Sequence, residues 1–567
     1  MDVRTAPDIL RCAAEVRRKP DAFLIKRDGA WNPVSIDTVV QRVSAMARLV
    51  RSRGIGKGDR VVILSESRLE WGMADLAVLS VGGVVVPVYP TIPASQIAPL
   101  LADSGSVAAF VSNSTQRKKL DEAVAIAGGG GVAPGGGVAP LRWIHTFDDD
   151  PWPAPVTGGL DPAVPVHPDD VASIIYTSGT TGEPKGVMLT HGNIVSEVLL
   201  ALQAMQLRPE DTYLSFLPLS HIFERCSGYY TMLYAGVTIA YAESFDALPR
   251  NLHEVHPSIV MAVPRLYEKI LQRGDERAAA AGFPTGPIWR WARRVAIERA
   301  TCHVEGRAAP PLLKAQHALA ARLVYKKLVA ALGGRSRMRI SGGAALHRSV
   351  ALFFHGVGLP IFEGYGLTET SSGISVNTFE KNRVGTVGPL FRGIEVKTAP
   401  DGELLVKGPV VMKGYWKKPE ATAAALEGGW FHTGDIGELD ADGFLRITDR
   451  KKDVLITSGG KKVAPQPVEA ALKATGRINE ALLVGDGQKY FAALIVPAAG
   501  VTREQVAAEV ERVNGSLAQF EKIKKFELIP DDLTVESGMM TPSLKLKRKA
   551  VIERHRDVVA RLFPEGA

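Results

Sequence analysis

The sequence predicts an α/β chain: a mostly parallel sheet in the first half, a β-rich stretch from about residue 384, and a small α+β domain at the C-terminus. Three observations carry that reading. Short β-branched runs such as Val61–Leu64 and Val84–Val88 alternate with segments of helical periodicity, the spacing of β-α units. Asp-Gly pairs stand between strand-like runs in APDGELLVKG and LDADGFLRITD, a hairpin signal. After Asp449, strand and helix patterns return over a stretch of domain size.

From Ser35 to Arg53, Val39, Val43, Met46, Ala47 and Val50 recur at helical spacing, and Gly54 ends the run. GKGDR is a turn, and Glu70–Gly82 reads as a helix. GGGVAP occurs twice between Gly129 and Pro140, which fits a surface loop. Val171–Ile175 is a strand, and the Gly/Ser/Thr-rich loop after it sits between that strand and the helix-like Asn193–Met205. Arg and Ala crowd Ala278–Lys327. Within it, Trp289–Ala300 reads as a basic amphipathic helix with a solvated face, and contact with an anionic membrane is the sharper alternative. The runs Asp453–Ile456, Pro467–Lys473, Glu480–Val484, Phe491–Val496 and Arg503–Val513 make up the last domain, with a boundary at Asp449–Lys452.

Composition narrows the function classes. The chain has 567 residues, 68 Lys+Arg against 60 Asp+Glu, a net charge of +8 and 46% hydrophobic residues. At roughly 150 residues per domain, length alone suggests three or four domains. Cys12, Cys226 and Cys302 lie far apart, which excludes a disulfide scaffold and a Cys-based zinc cluster. The N-terminus has no apolar core of a signal peptide, and the weakly polar run Ala74–Val88 falls short of a spanning helix. The expectation is a reduced, cytoplasmic, soluble protein. The basic balance suits a nucleic acid, a membrane surface or an anionic substrate, but no nucleic-acid module accompanies it.

Five motifs bear chemistry. In Tyr176-Thr-Ser-Gly-Thr-Thr-Gly-Glu-Pro-Lys185-Gly186, glycines permit close backbone approach, hydroxyls and amides can donate to phosphate oxygens, and Lys185 adds a cation. It is not a Walker loop. In Glu363-Gly-Tyr-Gly-Leu-Thr-Glu-Thr370, after the strand-like Leu359–Phe362, Tyr365 can stack on a planar ring. Thr368 can bond a phosphate there, and Glu369 is a hard oxygen ligand suited to Mg²⁺. In Trp430-Phe-His-Thr-Gly-Asp435, the Asp435 carboxylate can accept from both hydroxyls of a diol. Asp449-Arg-Lys-Lys-Asp453, followed by Thr457–Lys462, and the basic segment Thr541–Lys549 read in isolation as solvated charge.

Together and in this order, the five motifs resemble the superfamily of adenylate-forming enzymes: acyl-CoA synthetases, luciferases and the adenylation domains of peptide synthetases. The likeness runs from about Trp31 to Arg548, and SFLPLSHIFER, LITSGGKKVAPQPVE and MTPSLKLKRK look most like the long-chain fatty acyl-CoA synthetase branch. One departure is Leu544, where other branches have Gly before the lysine, so Lys545 and Lys547 compete for that role.

The resemblance implies a large N-terminal domain of layered α/β sheets over residues 1–449, with its β-rich subdomain at about 384–449. A small mobile α+β lid over 450–567 follows it. It implies ATP-dependent conversion of a fatty acid to acyl-AMP and pyrophosphate, then thioester formation with coenzyme A. In that scheme Thr177, Ser178, Gly179, Thr180, Thr181, Gly182 and Lys185 grip the departing phosphates. Glu369, with Thr177 as a second contact, holds Mg²⁺, and Thr368 bonds the α-phosphate. Gly342, Gly343, Ala344, Gly364, Tyr365 and Gly366 line the adenine site, and Asp435 and Arg450 hold the ribose. Lys545 bridges acyl carboxylate and α-phosphate, His221 lies near the carboxylate, Lys452 is the hinge, and the segment around Gly459 faces the pantetheine arm. The acyl walls are expected around Leu217–Tyr234, Val260–Leu266 and Ser341–Leu346. The rival readings are a fatty acyl-AMP ligase that delivers to a carrier protein, a peptide-synthetase-like domain and a non-catalytic nucleotide or lipid sensor. Chain length preference and oligomeric state stay open, as does peripheral contact with an anionic membrane.

Overall fold

Each β-branched run lies in a sheet, and each periodic segment beside it is a helix. The computed structural model describes residues 2–129, 141–156, 165–178, 184–534, 537–541 and 546–564. The repeat loop expected over Gly129–Pro140 falls outside these, except that Gly129 ends the helix Ser114–Gly129. The helix expected from Ser35 spans Ile36–Ser52. The Ser35 hydroxyl caps it by accepting from the Thr38 amide at 3.1 Å, and Val39, Val43, Met46 and Val50 form its buried face. Val84–Val88 is a strand buried along its whole length, as a parallel strand covered on both faces must be.

Two large sheets make the N-terminal region. The seven-stranded sheet runs 414–415, 184–190, 171–178, 84–88, 60–64, 108–111, 143–146, parallel from 84–88 outward. The eight-stranded sheet runs 375–376, 362–365, 338–341, 259–262, 212–215, 238–241, 23–27, 30–34, with six parallel strands between its two antiparallel edges. A four-stranded antiparallel sheet built from residues 395–450 is the expected β-rich stretch, and both Asp-Gly pairs turn its hairpins. The strands Ile478–Val484, Phe491–Pro497 and Ile523–Leu528 form the C-terminal sheet. Helices Pro465–Lys473 and Arg503–Asn514 pack on it in a separate core.

One expectation needs correction. The strand before the Gly/Ser/Thr segment is not followed next by a helix. It pairs antiparallel with a second strand, Thr177 with Lys185 and Ser178 with Pro184, and the helix His191–Met205 starts only after that second strand, Pro184–Thr190. That second strand has partners on both sides, since Gly414–Tyr415 pairs with Met188 and Val187. The basic helix is amphipathic as expected, with Arg290, Arg294 and Glu298 exposed on its outer face. It spans Thr285–Val304, buries Ala292, Val295 and Ala296, packs Trp289 on Phe353, and ties the indole N–H to Asp275 at 2.6 Å.

A fully buried ion pair joins the two sheet layers. Asp75, on the helix Leu69–Ser80, pairs with Arg225, on the π-helix Phe223–Tyr230, and neither has any side-chain exposure. Arg225 also donates to Ser173 Oγ at 2.7 Å, and that hydroxyl donates to the Val85 carbonyl at 2.8 Å. The Tyr230 hydroxyl donates to Asp75, and the guanidinium lies 5.5 Å from the Trp71 ring. Burial pushes the Asp75 carboxyl upward while Arg225 opposes it. Among the described residues, no helix is long and apolar enough to cross a membrane.

Asp75→Ala should therefore strand a buried guanidinium and cost about 3–5 kcal/mol in urea unfolding. Replacing both partners, as Asp75→Leu with Arg225→Met, should cost less than Asp75→Ala alone. A double variant no more stable than the single one would show that the charge is not what stabilises this junction.

Candidate active site

The motif residues meet where the parallel strands of the eight-stranded sheet end. After Phe362–Tyr365 the chain turns sharply into the 3₁₀ turn Thr368–Thr370. Only glycine fits at 366, since a Cβ there would lie 1.5 Å from the Ser372 carbonyl oxygen. The turn sets Glu369 against the edge strand Gly414–Tyr415, where the Tyr415 hydroxyl donates to Glu369 Oε1 at 3.0 Å and the Met412 amide donates to the Glu369 carbonyl at 2.8 Å. Lys185, from the hairpin, lies 5.1 Å from the Tyr415 ring centroid. Burial raises the Glu369 carboxyl pKa, and the Tyr415 hydrogen bond and the Arg450 charge oppose the rise.

A second cluster adjoins it. Asp435 and Arg450 are cross-strand partners in the four-stranded sheet, with Arg450 Nε 3.5 Å from Asp435 Oδ1. The Tyr365 hydroxyl donates to Asp435 Oδ2 at 2.6 Å. The Thr433 hydroxyl accepts from the Asp435 amide at 3.0 Å, which fixes the turn. Lys452 is exposed in the turn that follows Arg450. Desolvation of its ammonium group and the Arg450 charge push its pKa down, against the pull of Asp453 and Asp435. Thr177 stands opposite Lys185.

The three segments expected as acyl walls converge on Gly342. Its amide donates to the Ala262 carbonyl at 3.1 Å, and a Cβ there would lie 3.1 Å from the Phe223 ring. Gly343 follows at φ +81°, facing Val263, and Ala344 is exposed. His221 accepts from the Phe223 amide at Nδ1, 3.1 Å, so its ring proton is on Nε2. Beneath it, Glu224 is fully buried and accepts from the Tyr213 and Ser215 hydroxyls, both at 2.6 Å. Burial raises the Glu224 carboxyl to about 7 against those two hydrogen bonds.

The other expected residues divide. Gly364 and Tyr365 end their strand, and Thr368 opens the 3₁₀ turn beside them. Gly459 lies in the exposed turn between Leu455–Ile456 and Lys462–Val463. Gly179, Thr180, Thr181, Gly182 and Lys545 lie outside the described residues, as does the Ser178 side chain. The C-terminal domain rests on the N-terminal one through Arg265, which donates to the Asn479 carbonyl at 3.2 Å and approaches Glu480 at 3.5 Å. Arg293 adds a bond to the Ala474 carbonyl at 3.3 Å. Sequence reasoning missed Tyr415, although the Gly-Tyr-Trp run of MKGYWKKPE carries an aromatic strand-edge pattern. It also missed Glu403, which accepts from the Gly434 amide at 2.8 Å and pairs with Lys451 at 2.9 Å.

Comparison with known proteins fits this geometry. Residues 12–416 match the family described as AMP-binding enzyme, and residues 452–566 match the AMP-binding enzyme C-terminal domain. The long-chain-fatty-acid–CoA ligase FadD15 of Mycobacterium bovis is 37% identical over 585 aligned residues, covering 96% of this chain and 95% of its own. ATP-bound MatB from Rhodopseudomonas palustris shares the fold at TM-score 0.75 and 24% identity, covering 98% of this chain and 99% of its own. The Bacillus subtilis o-succinylbenzoate CoA synthetase MenE, in complex with ATP and magnesium, does so at TM-score 0.71 and 23% identity, covering 95% and 98%.

Glu224 makes a test of the interior. Between about pH 4.5 and 7 the folded chain keeps a proton on Glu224 that the unfolded chain has released. The contribution to stability therefore falls as pH rises through that window and levels off above about 7. Thermal melts at pH 5 and pH 8 should show a larger loss of Tm in the native protein than in Glu224→Gln; equal losses would place the titrating proton elsewhere.

Proposed function

Because the chain belongs to the AMP-binding enzyme family, and to its fatty acyl-CoA synthetase branch, we propose that it activates a long-chain fatty acid with ATP and passes the acyl group to coenzyme A. The convergence of Lys185, Tyr415, Glu369, Arg450, Asp435 and Tyr365 in one cluster carries this reading. In the first step a carboxylate oxygen attacks the α-phosphorus, and the bond from that phosphorus to the bridging oxygen breaks. Pyrophosphate leaves with the electron pair. In the second step the thiol sulfur attacks the acyl carbon, the bond to AMP breaks, and the thiol proton passes to solvent. Little covalent work falls to the side chains, so positioning and charge stabilisation dominate.

In this reading Asp435 and Arg450 take the ribose, with Tyr365 buttressing Asp435, and Tyr365 and Gly342–Ala344 flank the base. The hairpin residues 177–182 and Lys185 grip the β- and γ-phosphates, Thr368 holds the α-phosphate, and Lys545 offsets charge on the attacking carboxylate. Glu369 suits Mg²⁺: Tyr415 occupies only one of its oxygens, leaving the other for a hard cation that takes its remaining ligands from phosphates and water. Bound there, the ion would neutralise phosphate charge. His221 and Phe223 stand at the mouth of the acyl space, and residues 450–567 act as a lid that turns at Lys452 and brings Gly459 toward the pantetheine arm. Exposed Leu312 (70%), Leu319 (52%) and Leu323 (42%) on the helical run 311–331, with Lys314, Arg322 and Lys327 nearby, support peripheral contact with an anionic bilayer.

Lys545→Ala should lower fatty-acid-dependent ATP–pyrophosphate exchange by about 10²–10³. Thioester formation from supplied acyl-AMP should persist, and equal loss of both half-reactions would remove the lid-alternation role. Exchange without any thioester in the native protein would select the acyl-AMP ligase instead. Gly342→Val should push the Phe223 ring into the acyl space and lower kcat/KM for a sixteen-carbon acid more than for an eight-carbon one; an unchanged ratio would place the chain elsewhere.

A further inference from the structure

A second cavity lies at the other end of the eight-stranded sheet. The active-site cluster follows the C-terminal ends of Met338–Ser341 and Phe362–Tyr365. The second cavity is lined by Gly334 and Gly356–Gly358, which precede the same strands. The length of a strand separates the two, about 13 Å for four residues. The second cavity therefore lies apart from the cluster around Glu369 and Asp435. Its volume is about 590 Å³, within the range that holds small organic ligands.

The lining has two characters. Arg299, His303, His317, Lys326 and His355 bring five nitrogen-bearing side chains, and none of the described residues lining the cavity is acidic. Val329, Val357 and several alanines complete it with apolar wall. The His303 and His355 rings stack with centroids 5.1 Å apart, and the buried Nδ1 of His355 has no hydrogen-bond partner. His317 is oriented by a 2.7 Å hydrogen bond between its Nε2 and the Gly356 carbonyl, and Tyr325 by one from its hydroxyl to the Ala292 carbonyl at 2.7 Å. Burial and the neighbouring charges of His303 and Arg299 hold the His355 pKa down. An unpaired buried nitrogen is costly without a partner, and the half-exposed Arg299 and exposed Lys326 add positive charge to the same lining, so an anionic head suits it.

We propose that this cavity binds an amphipathic anion, a carboxylate or phosphate head on an apolar tail, with Arg299, Lys326 and the His303–His355 stack receiving the head. The tail lies along Val329 and Val357. The lining of this site shares no residue with the catalytic cluster, so binding here can be read apart from turnover.

Calorimetric titration of the full chain, with the catalytic site saturated by a non-hydrolysable acyl-adenylate analogue, tests it. The probes, kept below micelle formation, are dodecyl phosphate, dodecanoate, dodecyl maltoside and inorganic phosphate. One equivalent of dodecyl phosphate or dodecanoate should bind, and whichever is tighter identifies the head. Dodecyl maltoside and inorganic phosphate should each bind at least tenfold more weakly. The pair Arg299→Gln and Lys326→Gln should weaken the tighter probe at least tenfold while ATP–pyrophosphate exchange stays within twofold. Ring ¹H–¹⁵N resonances of His303 and His355 should shift on titration. The site is overturned if no anion binds to the blocked protein, if binding survives the double substitution, or if the neutral detergent or bare phosphate binds as tightly as the amphiphile.

Discussion

The ion pair between Asp75 and Arg225 is the constraint on which the rest of the N-terminal region depends. It joins a helix of one sheet layer to the π-helix of the other, and through Ser173 it reaches the strand that leads into the phosphate hairpin. A charge taken out of water tolerates little displacement of its partner, so the pair fixes the relative positions of the two layers. The same π-helix carries Phe223 and Glu224. The strand 171–178 and the π-helix therefore share one anchor, and their separation is set in the interior.

Around that anchor the site is assembled from strand ends. The hairpin strand at Lys185 and the edge strand at Tyr415 share the seven-stranded sheet, the pair Asp435–Arg450 sits in the four-stranded one, and the 3₁₀ turn at Glu369 follows a strand of the eight-stranded one. No one of them makes a nucleotide site. Tyr365 and Tyr415 act as connectors, because each passes a hydroxyl from one sheet to a carboxylate on another sheet or turn. Rigid sheets supply the reference frame, and short side-chain bonds between them supply the register.

Much of this was legible in the sequence. Asp435, Glu369 and Lys185 stand in Gly- and hydroxyl-rich segments at strand ends, and the order of those segments along the chain, more than any one of them, singled them out. The helices from Ile36 and Leu69 followed from periodicity. The hairpin did not. Pro184–Thr190 begins with Pro-Lys-Gly, poor strand formers, and it becomes a strand only because partners flank it on both sides. The partners of Trp289 were not legible for a similar reason. Its periodicity is amphipathic, but Asp275 and Phe353 come to it from other helices, and no local pattern announces them. Tyr415 was missed because its role exists only in the pairing of distant segments.

Arg450 ends its strand paired to Asp435, and the next residue, Lys451, donates its amide to the Gly434 carbonyl at 2.8 Å and its ammonium to Glu403 and Asp401. The Asp453 and Val454 amides then donate back to the Arg450 carbonyl at 2.9 and 3.1 Å, so residues 450–454 make one tight turn beside Asp435. In a body that rotates, displacement grows with distance from the axis. A C-terminal domain that turns at residue 452 would sweep its far loops through many ångströms while a sugar held by Asp435 and Arg450 barely moved. On the proposed reading, such a layout would let the nucleotide remain at rest through the whole cycle, as the fixed centre about which the reacting groups change places.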